Sequence, residues 1–150
     1  MRKIIGKIIE WFLMYDHEVA IEGDVPIHSY RYDSGYDLLV DRDMLIPDRA
    51  VVEVPSNIKI DPKLPVWFKI ESRSSTFNKL GLQVQSAIID NGYRGQLFAI
   101  TYNPNGHSVQ INRGDRIAQI VPHRVIPIKF VCGSLADSDR GEGGFGSSGR

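Results

Sequence analysis

The stretch QLFAITYNPNGHSVQI, Gln96 to Ile111, decides the fold class. QLFAITY offers two apolar faces, NPNG at Asn103 to Gly106 supplies a turn, and SVQI alternates apolar and polar residues again. The same grammar extends outward in both directions. VWFKI sets Val66, Phe68 and Ile70 against Trp67 and Lys69. PDRA, PSN, DPKLP and NRGD provide further breaks, and Pro47, Pro55, Pro62 and Pro65 each stop ladder pairing on one side. From Val19 to Val131 the chain reads as short strands with no long stretch of helical period, which predicts an all-β sandwich, jelly roll or barrel. There is no internal repeat.

At 150 residues the chain makes one domain, long enough to bury about two-thirds of the surface of its unfolded form. Lys plus Arg and Asp plus Glu balance at 18 each, so no net field draws it to nucleic acid or an anionic membrane, and any anion must be held locally. The lack of a basic, aromatic strand face argues against an oligonucleotide-binding barrel. A single cysteine, Cys132, leaves no internal disulfide and fits a reducing intracellular compartment such as the cytoplasm. The apolar start, residues 1–15, is too short to span a bilayer and is interrupted by Lys7 and Glu10. Ile4, Ile8 and Phe12 recur at helical spacing, so a short amphipathic helix packed on protein is expected there, with no membrane attachment. A β domain over 16–135 and a flexible Gly-rich tail over 136–150 complete the expected organisation.

One segment breaks the β pattern. In SRSSTFNKLG, Ser74 or Ser75 is placed to cap a short helix over Thr76 to Leu80, with Gly81 ending it in a left-handed conformation. Arg73 beside two hydroxyls at such a start is suited to phosphate, and equally to a solvated surface turn. In AIIDNGYRGQ, Asp90 follows Ala87, Ile88 and Ile89 at the end of what reads as a buried strand. A carboxylate held there can orient and deprotonate a water, or simply accept backbone hydrogen bonds in the DNG turn. Tyr93 offers a flat ring to a sugar. DSGYDLLV brings Asp37 into an apolar strand, and RGDRIAQIV offers Arg116 or Gln119 to a phosphate. The tail RGEGGFGSSGR has Gly at five of its last ten positions, and its backbone has no fixed conformation of its own.

Taken in order, DSGYDL, SRSS, AIIDNGYRGQ, GDRIAQIV and RGEGGFGSSG resemble the five motifs of the trimeric dUTP diphosphatase family, over roughly Pro26 to Gly149. The resemblance implies a jelly-roll-like β subunit with one short helix, and a homotrimer whose three sites are each assembled from all three chains. It implies hydrolysis of dUTP to dUMP and pyrophosphate with Mg²⁺, supplying dUMP and keeping uracil out of DNA. On this basis Asp90 matches the residue that activates the attacking water, and Tyr93 the ring that packs on deoxyribose and disfavours a 2′-hydroxyl. Arg73, Ser74, Ser75 and Gln119 match phosphate ligands. Asp37 matches a carboxylate acting indirectly, through the waters of a magnesium ion that the triphosphate chelates. In the tail, Phe145 would cover the uracil while Arg140, Ser147 and Ser148 reach the γ-phosphate. Gly146 and its neighbours would let backbone N–H groups approach phosphate oxygens.

The sequence departs from the family pattern at Ser72 and Ala87, where Gly is usual. It departs also in the hairpin Leu82 to Ile89, which lacks the Asn that reads uracil. Base recognition is therefore expected from the backbone around Ile88 and Ile89, helped by Gln83 or Gln85. The dCTP deaminases share a similar RSS segment, but FAITYN has Ile100 and Thr101 where deamination needs a carboxylate. The presence of Asp90, Tyr93, Arg73 and the complete tail favours an enzyme over a nucleotide-binding regulatory module.

Overall fold

The computed structural model describes residues 18–30 and 32–143. The expected N-terminal helix and the tail residues Phe145, Gly146, Ser147 and Ser148 lie outside the described residues. Eleven strands and one helix follow in order among the described residues: β1 (Val19–Gly23), β2 (Tyr36–Leu38), β3 (Met44–Ile46), β4 (Val51–Pro55), β5 (Ile58–Pro62), β6 (Val66–Ser72), α1 (Ser74–Leu80), β7 (Gln83–Val84), β8 (Ala87–Ile89), β9 (Phe98–Tyr102), β10 (Val109–Ile111) and β11 (Ala118–Arg124). They form four antiparallel sheets ordered β1-β5, β10-β3, β2-β11-β6-β8 and β4-β9-β7, the jelly-roll class expected. Pro55 closes β4 and Pro62 closes β5, whereas Pro122 lies inside β11, opposite Phe68. Strands stop at Arg124, short of Val131, and residues 125–143 carry no helix or strand.

Alternation puts one face of each strand inside. Ile58 and Ile60 of β5, Phe68 and Ile70 of β6, and Ala118 and Ile120 of β11 join Leu38, Ile46, Leu97, Ile111 and Ile117 in one core. Ile88 departs from expectation. It lies in an apolar run but is 63% exposed, because the β6–β8 register places it opposite Lys69 on the outer face while Ile89 sits opposite Phe68.

The stretch Gln96 to Ile111 does not fold back on itself. β9 pairs with β4 and β7, whereas β10 pairs with β3, so NPNG is a corner between two sheets. Asn103 holds it. Fully buried, its amide nitrogen donates to the His107 carbonyl (2.8 Å) and, through one shared hydrogen, to the consecutive carbonyls of Ile46 (2.9 Å) and Pro47 (3.1 Å), and its carbonyl accepts from the Asn105 backbone N–H (3.0 Å). Such carbonyls have no ladder partner at a corner, and a buried polar group left unpaired costs roughly 1–3 kcal/mol. Asn103→Ala is expected to lower the free energy of unfolding by about 3 kcal/mol or more, read from urea denaturation.

Candidate functional site

The register of β11 builds the first part of the site. Gln119 lies opposite Asp37 of β2 on one side and Glu71 of β6 on the other, so these three share a face. Arg73, two residues beyond Glu71 and still extended (φ −81, ψ 148), continues that row. The result is a cleft of about 370 Å³ whose lining includes Ser29, Ser34, Asp37, Arg73, Ser74 and Gln119.

Asp37 is almost buried and pairs with two guanidinium groups. Arg73 Nε lies 2.7 Å from one carboxylate oxygen and Arg116 Nη1 3.4 Å from the other. Arg73 Nη1 also donates to the Arg116 carbonyl (3.0 Å) and the Ser75 hydroxyl (3.4 Å). Gln119 Nε2 donates to the Ser72 carbonyl (3.1 Å). One carboxylate thus holds two cations and fixes a guanidinium plane suited to a phosphate, and with Asp33 also lining the cleft the charges of the two signs balance. Arg116, weighed against Gln119 from sequence, takes part alongside it by supporting Asp37.

The helix differs in detail from expectation. Its N-cap is Arg73, and no side chain caps it. Thr76 N–H bonds to the Arg73 carbonyl (3.0 Å), and the Thr76 hydroxyl donates to the Ile117 carbonyl (2.7 Å), so backbone and tertiary bonds do the work assigned to the serines. Ser74 is left exposed at the cleft. Gly81 does end the helix, at φ 65.

A second cleft, of about 260 Å³, is lined by Ala87, Ile88, Ile89, Asp90, Tyr93, Gln96, Phe98 and Ile100. It shares no lining residue with the first. Asp90 stands exposed at the end of β8, and Tyr93 N–H bonds to the Asp90 carbonyl (3.1 Å). The Tyr93 hydroxyl donates to the Gln96 carbonyl (3.3 Å). The ring can lie this way because residue 95 is Gly: a Cβ there would sit 2.2 Å from the hydroxyl and 2.4 Å from the carbon bearing it.

The segment Leu82 to Ile89 is not a paired hairpin, since β7 joins β9 and β8 joins β6. Gln85 lies in a third cleft, with Val51, Gln83, Val84, Ile100 and Tyr102, and its amide donates to the Ser86 carbonyl (3.4 Å). A single chain therefore does not bring Gln85 to Tyr93. Arg140 is exposed and donates to the Gly143 carbonyl (2.9 Å). Among the described residues no three His, Cys, Asp or Glu side chains cluster to hold a metal ion. No helix there is long and apolar enough to cross a membrane.

A five-motif order on a jelly-roll subunit, with one cleft built on guanidinium groups held by Asp37 and one carboxylate-and-tyrosine cleft, defines a nucleotide-handling class of β protein. The dUTPase family model matches residues 22–149, and the chain belongs to that family. It is 31% identical over 147 residues to the deoxyuridine 5′-triphosphate nucleotidohydrolase of Candida glabrata, covering 97% of this chain and 99% of that protein. It is 35% identical over 125 residues to the enzyme of the same name from Paramecium bursaria Chlorella virus 1, covering 83% of this chain and 89% of that one. The dUTPase of Staphylococcus bacteriophage 80alpha, solved with dUPNHPP, shares the fold at a TM-score of 0.80 and 23% identity, over 89% of this chain and 99% of that one.

Gly95→Ala is expected to swing the Tyr93 ring out of place. A fall in kcat/KM for dUTP of about tenfold to a hundredfold, with a nearly unchanged melting temperature, is the outcome to measure.

Proposed function

We propose that this chain hydrolyses dUTP to dUMP and pyrophosphate, as a homotrimer whose sites are completed between copies. The observation that carries the reading is the convergence of Asp37, Arg73, Ser74 and Gln119, from separate parts of the sequence, on one cleft. Residues of the first, second and fourth family motifs meet there although the motifs lie far apart in the chain.

Arg73, Ser74 and Gln119 hold the phosphates, with Ser75 supporting Arg73. Asp90 accepts a proton from a water whose oxygen attacks the α-phosphorus. The new P–O bond forms as the bond to the β-phosphate oxygen breaks, and pyrophosphate leaves. Tyr93 packs against the deoxyribose, and backbone groups around Ile88 and Ile89 read the base. Arg140, Phe145, Gly146, Ser147 and Ser148 close over the nucleotide and exclude water. Both oxygens of Asp37 already face guanidinium groups, so this carboxylate does not stand free as a bare-metal ligand. Magnesium fits as a cation that arrives on the triphosphate, with Asp37 the carboxylate placed to receive its waters. What it supplies is neutralisation of phosphate charge.

Two features support the assembly. The Asp90 cleft and the Arg73 cleft share no lining residue in one chain, and a neighbouring copy would bring the two halves to one nucleotide. The segment after Arg124 also exposes Ile126, Ile128, Phe130, Val131 and Leu135, an apolar run that a second copy would cover.

Pyrophosphate release from dUTP, dCTP, dTTP and UTP in separate reactions with Mg²⁺ tests the reading. Release from dUTP alone is expected. Asp90→Asn should reduce turnover by about a hundredfold or more while nucleotide still binds. Unchanged turnover would remove Asp90 from the chemistry.

A further inference from the structure

We propose that Asn91 is a positioning residue that fixes the Asp90 loop to the Leu64–Val66 turn, and that this turn also anchors the start of the C-terminal segment. The inference rests on Asp90 being the water-activating carboxylate. The β6–β8 ladder ends at the Ile89–Phe68 pair, so Asp90 is the first residue beyond it and the backbone no longer constrains it from that side. At the next position a side chain takes over. Asn91 Nδ2 donates to the carbonyls of Leu64 (2.6 Å) and Val66 (2.9 Å), using both of its hydrogens on acceptors that flank Pro65.

Those acceptors belong to a stiff turn. Pro65 has a fixed φ and no N–H to compete, and Val66 N–H bonds to the Leu64 carbonyl (2.8 Å). The Pro65 carbonyl between them accepts from Val125 N–H (2.8 Å), the first residue after β11. Three successive carbonyls are thus committed, the outer two to the catalytic loop and the middle one to the segment that leads to the tail. A second tie sits on the far side of the loop, where Arg94 ion-pairs with Asp61 of β5. Lys63 also bonds to Asp61 (2.6 Å). Between these ties lie Asp90 and Tyr93, the residues that must hold a water and a sugar in register.

Asn91 is exposed and lies outside the core, so truncating it opens no cavity. The effect should appear in the chemistry and the mobility of the loop rather than in global stability. Asn91→Ala and the isosteric Asn91→Asp are compared with wild type for steady-state kinetics on dUTP, melting temperature, and amide hydrogen exchange at Gly92 to Arg94. The expected result for Asn91→Ala is a fall in kcat of about tenfold with KM changed less than about twofold, because the phosphate cleft is untouched. Exchange at Gly92 to Arg94 should be faster, and melting temperature nearly the same.

An ionised carboxylate at this position cannot donate, so N91D should match N91A near neutral pH. It should recover relative to wild type at lower pH, where the introduced carboxyl regains an O–H, whereas N91A should not. Wild-type kcat and exchange in both variants overturn the proposal. So does a loss of kcat in proportion to a lowered melting temperature, with exchange accelerated across the whole domain. The exchange readout needs no turnover, so it judges the clamp even if Asp90→Asn were to leave hydrolysis intact and remove the mechanistic reading itself.

Discussion

The register of β11 between β2 and β6 is the constraint on which the rest depends. With Gln119 opposite Asp37 and Glu71, the outer face carries the cleft. The flanking Ala118 and Ile120, opposite Leu38, Ser72, Tyr36 and Ile70, fill the core face. A slip of β11 by one residue would turn Gln119 into the core and bring Ala118 and Ile120 out to the cleft face. The same burial that stabilises the sheet therefore sets Asp37 and Gln119 side by side on the face proposed to meet phosphate, and the Asp37 ion pair then orients Arg73.

Asp37 turns that geometry into electrostatics. A nearly buried carboxylate costs several kcal/mol in desolvation unless it is paired, and here both oxygens meet guanidinium groups. The chain as a whole carries no net charge, and this pairing fixes two guanidinium groups at one place. In a protein with 18 residues of each sign, a polyanion would have to be held by such local groups and not by an overall field. On β5, Asp61 shows a milder version of the same device, pairing with Arg94 and Lys63. There the Asp61 carboxyl is held below its ordinary value, chiefly by the Lys63 hydrogen bond and further by the Arg94 charge, with burial opposing.

Much of this was legible in the sequence. Alternation gave the strands around Val66 to Ser72 and Phe98 to Tyr102, the prolines marked their ends, and Gly81 marked the end of the helix. Locally, Asp90, Arg73 and Gln119 each read equally as turn or surface residues, and their proposed roles came from the order of the five motifs. Sheet membership was not readable: period-two alternation tells inside from outside but not which neighbour a strand takes, so the β9 corner at Asn103 and the separation of β7 from β8 stayed hidden. Ile88 reads as core from its neighbours and is exposed by register. The capping serines lost to Arg73 because a backbone bond and Thr76's contact with Ile117 already satisfy the helix start. Asn91 looks like an ordinary turn residue until the turn it grips, 25 positions away for Val66, is folded against it.

In the proposed trimer, Arg73 of one copy and Asp90 of another meet on the same nucleotide. Co-expression of Arg73→Ala chains with Asp90→Asn chains under two affinity tags, followed by tandem purification of the mixed oligomer, tests this most directly. Each parent alone should be inactive. A mixed trimer should regain activity at about one site in three, the one that takes Asp90 from one parent and Arg73 from the other. A mixed oligomer as inactive as its parents would contradict the claim and place both residues in a site built by one chain.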